Sequence, residues 1–310
     1  MKARYPIDKS FGLFARFTPP LGRAALLLSR PILALLPKGL RGVCAERVEI
    51  PAGGSRKVRA YLLGPKGECG SLPCLVYFHG GGFVFGAAPY HYRNAVQYVQ
   101  RAGCRLLLVD YRLAPAHPYP QPDRDCLAAY KWVTENAAAL HIDGVALGGD
   151  SAGGCLAANL VRQIEREHLP GPRFLMLLYP VLDRRMQSPS MQAYTDTPMW
   201  NARLNERMWR YYCTDPQYLS PAQWQDVGYF PPSYIETAQY DCLHDEGVLF
   251  AEKLRGQGVP VTLRETRGTM HGYDIARRSP VTAESLGARC AALRAALFAG
   301  SEDAVPPSEA

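Results

Sequence analysis

A serine stands at the centre of a glycine-rich stretch, residues 148–154, whose setting is typical of a nucleophile. Gly149, Ser151 and Gly153 fill the pattern G-x-S-x-G, which places a serine on a sharp turn between a strand and a helix. A short apolar run precedes the stretch and a helix-like run follows it. Glycines are expected there because a strand and a helix that pack so closely leave little room for side chains. The pattern predicts a reactive Ser151, against the alternative of an ordinary glycine-rich turn.

A serine hydroxyl attacks well only when a base removes its proton. Among the seven histidines, His271 follows the last predicted strand and precedes the last predicted helix. Loops at the carboxyl ends of parallel strands converge on the same edge of the sheet. His271 also comes after Ser151 and after a candidate acid, in the order Ser, Asp/Glu, His. We therefore expect His271 to be the base.

The acid that orients this histidine is expected after a strand between Ser151 and His271. Asp241 comes directly after the apolar stretch 234–240, where its carboxylate could hold the imidazole in the correct tautomer. Asp245 and Glu246 compete, but they fall in the next helix and suit its N-terminal end better. Asp274 is too close to His271 in the same loop. Asp241 is the preferred acid.

A second glycine-rich segment, His79-Gly80-Gly81-Gly82, ends an apolar strand. Bare glycine N–H groups at this position could stabilise the oxyanion that forms when a carbonyl is attacked. We assign Gly81, Gly82 and the N–H of Ala152 as donors. A nucleotide-phosphate loop is the alternative, but neither G-x-x-x-x-G-K-[ST] nor G-x-G-x-x-G occurs here. Asp150, beside the serine, is expected to have a structural role.

The elements that must position these residues alternate between strands and helices. Strands are predicted at 75–78, 106–109, 145–147, 174–178, 234–238 and 259–263, and helices at 90–101, 123–138, 152–167, 243–257 and 283–298. The strands are apolar along their whole length, which predicts a parallel sheet covered by helices on both faces. A hairpin of strands 47–50 and 58–63 precedes them, and further helices are predicted at 21–36 and near 199–212. The fold class is α/β.

With these motifs in place, the chain resembles the hormone-sensitive-lipase-like family of α/β-hydrolase esterases, in its branch with Gly-Asp-Ser-Ala-Gly at the serine. The resemblance covers about residues 45–298 and also includes Asp-Tyr-Arg-Leu-Ala-Pro at 110–115 and His-Gly-Tyr at 271–273. The chain departs from the family at Cys242, where Pro is common, at His244, where Arg is common, and at Ala116, where Glu is common. None of these departures removes a reacting group.

The resemblance implies an α/β-hydrolase fold with about eight strands and a helical cap. The cap would be built from N-terminal helices in residues 1–43 and from an insertion at 183–215. The catalytic core would then comprise residues 44–182 and 216–300. Residues 301–310 are expected to be a disordered tail.

Composition narrows the classes of function. The chain has 310 residues and a net charge of +7, with scattered charges and no block of five or more basic residues, so we expect a mildly basic surface and no nucleic-acid partner. Nine cysteines without a C-x-x-C motif favour free thiols in the cytoplasm, although a disulfide between Cys69 and Cys74 stays open. No signal peptide is evident. The apolar stretch 24–36 is too short to span a bilayer, and packing over a pocket is favoured over contact with a membrane surface.

The resemblance and the motifs together predict a serine carboxylesterase that acts on short- to medium-chain esters without a cofactor or a metal. Ser151, His271 and Asp241 would form the triad, and His79, Gly80 and Asp150 would support the motifs. An amidase or lactonase would use the same residues. The motifs are also compatible with a non-catalytic receptor of the same fold and with a membrane-associated lipase. The partner is a small ester, and the protein is expected to be a monomer or a homodimer.

Overall fold

The structure is a computed structural model that describes residues 4–22, 26, 39–67 and 70–299. Eight strands form one sheet in the order β1-β2-β4-β3-β5-β6-β7-β8. The strands are β1 (Cys44–Pro51), β2 (Lys57–Gly64), β3 (Leu72–Phe78), β4 (Arg105–Asp110), β5 (Ile142–Asp150), β6 (Phe174–Leu178), β7 (Ser233–Tyr240) and β8 (Val261–Met270). This is the α/β-hydrolase fold that the sequence predicts.

Strand direction follows the apolar pattern. The first two strands form the predicted antiparallel hairpin, and β2 also runs antiparallel to β4. From β4 to β8 every neighbouring pair is parallel. The central strands β5 and β6 are buried along nearly their whole length, as expected for a sheet with helices on both faces.

The helices divide between the two faces of the sheet. They are α1 (Pro89–Ala102), α2 (Gln121–Glu135), α3 (Ala152–Arg166), α4 (Pro189–Ala193), α5 (Ala202–Tyr212), α6 (His244–Gly256) and α7 (Pro280–Leu297), with short 3₁₀ helices at Lys9–Arg16, Pro221–Gln223 and Tyr273–Ile275. Buried side chains of α1 and α7 form one apolar core, and those of α2, α3, α5 and α6 form the other. Each face of the sheet therefore has its own core.

Several predicted boundaries are wrong, and β3, β5 and α7 each begin three residues earlier than predicted. Strand β8 does not end at Leu263 but runs to Met270, because this edge strand pairs only with β7 and its exposed positions carry charged residues that break the apolar pattern. Helix α2 ends at Glu135, three residues before its predicted end. The stretch 186–197, expected to be a loop, contains the short helix α4. The helix predicted over 21–36, apart from residues 21, 22 and 26, and the tail 301–310 lie outside the described residues.

The cysteines of the described ranges are free thiols. Cys44 is exposed and the other seven are buried. Burial raises the pKa of the Cys74 thiol to about 12. Its suggested disulfide partner, Cys69, lies outside the described residues.

No helix in the described part of the chain is long and apolar enough to cross a bilayer. Residues 24, 25 and 27–36 of the N-terminal apolar stretch lie outside that part.

Candidate active site

Ser151 occupies the tight turn between β5 and α3, and its backbone is strained. It has φ 54° and ψ −118°, a conformation that costs a side-chain-bearing residue about 1–3 kcal/mol. Two backbone hydrogen bonds hold it there: its N–H donates to the Leu178 carbonyl at 2.8 Å, and its carbonyl accepts from the Val181 N–H at 3.0 Å. The surrounding β6 segment therefore fixes the turn that presents the hydroxyl.

The glycines flanking the serine are required by close packing. A Cβ added to Gly153 would lie 1.9 Å from the Phe78 carbonyl oxygen, and one added to Gly149 would lie 2.3 Å from the Gly153 carbonyl oxygen. Both neighbours are backbone atoms, which cannot move aside as a flexible side chain would. The crowding inferred from the sequence is present at both positions.

The structure brings Ser151, His271 and Asp241 into one line of contacts. His271 Nε2 lies 2.9 Å from Ser151 Oγ, and His271 Nδ1 lies 2.6 Å from Asp241 Oδ2. An ionised carboxylate only accepts hydrogen bonds, so this contact places the proton of a neutral imidazole on Nδ1 and leaves the Nε2 lone pair facing the serine hydroxyl. The ring is thus oriented to take the hydroxyl proton.

Asp241 directly follows β7 and is fully buried. Its second oxygen, Oδ1, accepts a hydrogen bond from the Leu243 N–H at 3.0 Å. One oxygen therefore binds the imidazole while the other is fixed by the backbone at the start of the next helix. This arrangement holds the carboxylate in one orientation.

The competing acids contact other parts of the chain. Asp245 and Glu246 lie in the first turn of α6, as predicted, but they also accept hydrogen bonds from distant backbone. Asp245 accepts from the Ser190 N–H at 2.7 Å, and Glu246 accepts from the N–H groups of Leu182 and Asp183 at 2.8 and 2.9 Å. These bonds tie the stretch after β6 to α6.

Gly81 and Gly82 lie beside Ser151 in the wall of the same cavity. Their φ angles are 115° and 58°, which glycine adopts without strain. Within the described ranges, neither N–H donates to another protein group. Ala152 is the first residue of α3, where a helix leaves its first N–H groups without intrahelical partners. Both glycines thus line the same cavity as Ser151, and Ala152 directly follows Ser151 in the chain.

His79 fixes the orientation of the glycine loop. Its Nδ1 lies 2.7 Å from the Gly80 carbonyl oxygen, and its ring stacks on Tyr111 with a centroid distance of 4.4 Å. Because a peptide unit is planar and trans, a Gly80 carbonyl held towards His79 turns the Gly81 N–H to the opposite side. Burial lowers the pKa of His79 to about 4, so the ring is neutral at pH 7.

Asp150 joins the serine turn to the glycine loop. It accepts hydrogen bonds from the Gly80 N–H at 3.0 Å and from the Tyr77 hydroxyl at 2.9 Å, and it also lies 3.3 Å from the Tyr90 hydroxyl and 3.2 Å from His91 Nε2. Burial alone would raise the pKa of Asp150, but its interactions with His91 and Tyr77 lower it to about 2. These partners lie in β3, in the glycine-rich segment that follows it and in helix α1.

Tyr90 and His91 were not recognised as site residues from the sequence, because they read only as the beginning of helix α1. Both line the cavity next to Ser151. A histidine shortly after the His-Gly-Gly-Gly segment and next to a tyrosine was the available signal. The sequence pattern alone does not indicate a role for this histidine, because the role depends on its contact with Asp150 in the folded chain.

A cavity of about 340 Å³ opens above Ser151. Its wall is mostly apolar and includes residues from the N-terminal segment and from the stretch before α5. The lining residues are Phe17, Pro19, Pro20, Gly81, Gly82, Phe85, Gly86, Ala88, Tyr90, His91, Ser151, Met199, Trp200, His271, Gly272 and Ile275. Such a concave apolar site with a few polar groups suits a small organic molecule.

Known proteins resemble this chain in sequence and in fold. A family model described as "alpha/beta hydrolase fold" matches residues 75–275. Carboxylesterase NlhH of Mycobacterium tuberculosis is 37% identical over 74% of this chain and 75% of its own. Ethyl acetate hydrolase of Pseudomonas putida is 36% identical over 64% of this chain and 65% of its own. The crystal structure of esterase LipW from Mycobacterium marinum superposes with a TM-score of 0.87 at 27% identity, covering 94% of this chain and 96% of that one.

Proposed function

The chain belongs to the hormone-sensitive-lipase-like family of α/β-hydrolases and is a carboxylic ester hydrolase, and from this premise we propose that it cleaves short- to medium-chain esters through an acyl-enzyme on Ser151. The observation that carries the proposal is the contact line from Ser151 Oγ through His271 to Asp241 at the base of the cavity. The same three residue types in this geometry form the triad of serine hydrolases.

In the first half of the reaction, Ser151 Oγ attacks the acyl carbon and its proton passes to His271 Nε2. The carbonyl electron pair moves onto oxygen and gives a tetrahedral oxyanion. The intermediate then collapses, the bond to the alcohol oxygen breaks, and that oxygen takes the proton from Nε2. The alcohol leaves, and the acyl group remains on Ser151.

In the second half, water attacks the acyl carbon while His271 Nε2 takes one of its protons. A second oxyanion forms and collapses, Ser151 Oγ leaves with the proton from Nε2, and the acid is released. Asp241 stabilises the imidazolium in both halves and keeps its ring in the productive orientation. These steps use only groups of the chain, the ester and water.

The N–H groups of Gly81, Gly82 and Ala152 are proposed to bind the oxyanion. Support comes from the position of both glycines in the cavity wall beside Ser151 and from the fixed peptide at Gly80. Preorganised donors of this kind stabilise the transition state because the charge develops where they already point.

The size of the cavity supports a preference for small esters. Its volume of about 340 Å³ is near the lower end of the range of ligand pockets, roughly 300–1,000 Å³. One relative is named for the hydrolysis of ethyl acetate, which is also a small ester. We propose acetate to about hexanoate as the favoured acyl groups.

We also propose the division of the chain into a core, at 44–182 and 216–300, and a cap at 1–43 and 183–215. Support comes from the cavity wall, to which Phe17 and Trp200 contribute from the two cap segments. A Cβ on Gly82 would lie 2.6 Å from Trp200 Cη2, so the cap packs directly on the glycine loop.

A series of p-nitrophenyl esters from acetate to laurate, measured on the wild type and on Ser151→Ala, tests the proposal. We expect kcat/KM to peak at short chains and to fall by at least about 10⁴-fold in the variant, with unchanged thermal unfolding. Ser55→Ala, at an exposed serine in the turn between β1 and β2, is the matched control and keeps full activity. Activity retained in a clean Ser151→Ala preparation would refute the assignment of the nucleophile.

A further inference from the structure

The net charge of the chain is concentrated near its N-terminus, although no run of five basic residues occurs. Residues 1–41 hold eight of the 35 Lys and Arg residues and a single acid, Asp8, whereas the remaining residues carry 27 charges of each sign. The eight are Lys2, Arg4, Lys9, Arg16, Arg23, Arg30, Lys38 and Arg41. The +7 of the chain is therefore the charge of this one segment.

The described part of this segment lies along the carboxyl edge of the sheet. The Asp8 N–H donates to the carbonyl of Gly268, near the end of β8, at 2.8 Å. In the 3₁₀ helix Lys9–Arg16, the ring of Phe11 is buried and packs on Tyr273 with a centroid distance of 5.9 Å. The inner side of the helix is thus fixed next to the loop that carries His271.

The segment then reaches the mouth of the cavity. The carbonyl of Phe17 accepts a hydrogen bond from the Met199 N–H at 2.6 Å, and Phe17, Pro19 and Pro20 form part of the cavity wall. The outer side of the 3₁₀ helix is therefore continuous with the entrance to the site.

Two large apolar side chains face solvent on that outer side. Leu13 is 83% exposed and Phe17 is 50% exposed. Leu13 is the most exposed of the large hydrophobic residues in the described ranges. Neither stabilises the fold much in this position, and an exposed apolar pair at the rim of a pocket marks a contact surface.

Four exposed cations belong to the same 3₁₀ helix or to the chain that contacts it. Lys9 and Arg16 precede and follow Leu13 along the chain, in a 3₁₀ segment that is kinked at Gly12. Arg277 and Arg278 directly precede Ser279, whose Oγ lies 2.7 Å from Ser10 Oγ on this helix. None of the four forms an ion pair with a carboxylate in the part of the chain that the structure describes. We call Lys9, Leu13, Arg16, Phe17, Arg277 and Arg278 the rim surface.

We propose that the rim surface docks on an anionic lipid bilayer and holds the cavity mouth against it. The apolar side chains enter the interface while the cations contact lipid phosphates, which is how basic amphipathic segments bind membranes. A nucleic acid would match the charge equally well, but an exposed leucine has no favourable contact with a phosphate backbone. The surface thus fits a partner that is both negatively charged and apolar. Docking would let an ester dissolved in the bilayer enter the cavity directly.

Co-sedimentation of the full chain with vesicles tests this proposal, with Ser151→Ala as background so that no ester lipid is consumed. We expect binding to vesicles of one part phosphatidylglycerol to three parts phosphatidylcholine, and at least tenfold weaker binding to pure phosphatidylcholine. Salt at 0.5 M weakens the binding, because the Debye length falls to roughly 4 Å.

Two variants and two matched controls assign the binding to the rim surface. Leu13→Asp, and separately Lys9→Glu with Arg16→Glu, lower the partition coefficient at least tenfold, since each basic residue near an anionic surface contributes a factor of about five. Leu249→Asp replaces a leucine that is 55% exposed on α6. Lys66→Glu with Arg166→Glu reverses two exposed cations at the opposite edge of the sheet. We expect each control variant to bind the anionic vesicles within about twofold of the parent chain.

Each remaining outcome overturns the proposal. Failure of the parent chain to bind anionic vesicles would do so, as would rim variants that bind as well as their controls. Binding to a polyanion such as heparin that competes with vesicles and is insensitive to Leu13→Asp would make the surface a polyanion site instead. Hydrolysis of a water-soluble p-nitrophenyl ester by the rim variants in the active background checks their folding. Because vesicle binding is read without turnover, its failure is distinct from failure of the proposed esterase.

Discussion

Two buried polar clusters contact the loop that carries His271, and they differ in how completely their hydrogen-bonding groups are paired. In the first, Asp241 contacts His271, whose second nitrogen lies 2.9 Å from the hydroxyl of Ser151. In the second, Arg289 binds both Glu236 and Asp274 in a fully buried network. The first cluster keeps one partner that can be exchanged, whereas the second has none.

The second cluster contains further hydrogen bonds. Glu236 also accepts from the Tyr234 hydroxyl at 2.8 Å, and Asp274 accepts from the hydroxyl of Tyr179 at 2.9 Å. The ring of Tyr179 in turn contacts His271 with a centroid distance of 5.0 Å. The cluster in which Arg289 pairs with both carboxylates positions the His271 loop, while the cluster with an exchangeable partner can move a proton.

The largest effect is expected when the first cluster is broken. Asp241→Asn lowers kcat by about 10⁴-fold because the amide favours the wrong tautomer of His271, while the free energy of unfolding changes little. Steady-state kinetics on a short-chain p-nitrophenyl ester measures this. Asp245→Asn, the competing acid, is the matched control and loses less than tenfold. A larger loss for Asp245→Asn would exchange the roles of the two acids.

Breaking the second cluster should affect stability first. Arg289→Met leaves two buried carboxylates without their cation and lowers the free energy of unfolding by about 3–5 kcal/mol, as measured by urea denaturation. Adding Glu236→Gln and Asp274→Asn should restore part of the loss. Arg264→Met, which removes the partner of Glu284 near the surface, should cost less than about 1 kcal/mol. Equal losses for the two arginines would contradict the comparison.

A third test addresses the glycine-rich segment at 79–82, which belongs to neither cluster. Gly82→Ala places a Cβ 2.6 Å from Trp200 Cη2 at a φ of 58°. We expect the N–H to be displaced and kcat to fall by about 10²–10³-fold, the usual cost of losing one donor. Gly86→Ala is the control, because Gly86 lines the same cavity but has open space around its Cβ position. Equal kcat values for the two variants would mean that the Gly82 N–H does not bind the oxyanion.

The smallest effect concerns His79, a buried histidine without the carboxylate partner that His271 has. Its folded-state pKa of about 4 lies below the usual 6.5, so the unfolded chain binds the extra proton between these pH values. The contribution of His79 to the free energy of unfolding is therefore fully present above pH 6.5. It is lost as the pH falls towards 4, and the loss is at most about 3 kcal/mol. Urea denaturation from pH 7 to pH 4 should show a shallower slope for His79→Gln than for the wild type. Parallel slopes would mean that His79 does not titrate in this window.

The sequence predicts the serine turn and the glycine loop well because both are local. The crowding at Gly149 and Gly153 depends on a strand and helix adjacent in the chain, and the order of motifs places His271 after Asp241. The choice of Asp241 over Asp245 was also accessible, because only Asp241 directly follows a strand.

Contacts between distant segments could not be predicted in the same way. Arg289 lies in a helix whose pattern gives no sign that its guanidinium is buried against Glu236 and Asp274. Strand β8 was predicted too short because an edge strand needs no continuous apolar run. Tyr90 and His91 acquire their role only when β5 brings Asp150 beside them.

The seven buried thiols can report when a part of the folded chain opens to solvent. A thiol reagent reacts with thiolate at an accessible sulfur, so in the described ranges only Cys44 reacts at once with the folded protein. Cys104 and Cys290 belong to the core on the α1 and α7 side of the sheet, and Cys126 and Cys155 belong to the core on the α2 and α3 side. Under pulsed labelling with mass spectrometry, the order in which these sulfurs gain mass would separate the exposure of one face from that of the other, without any engineered probe.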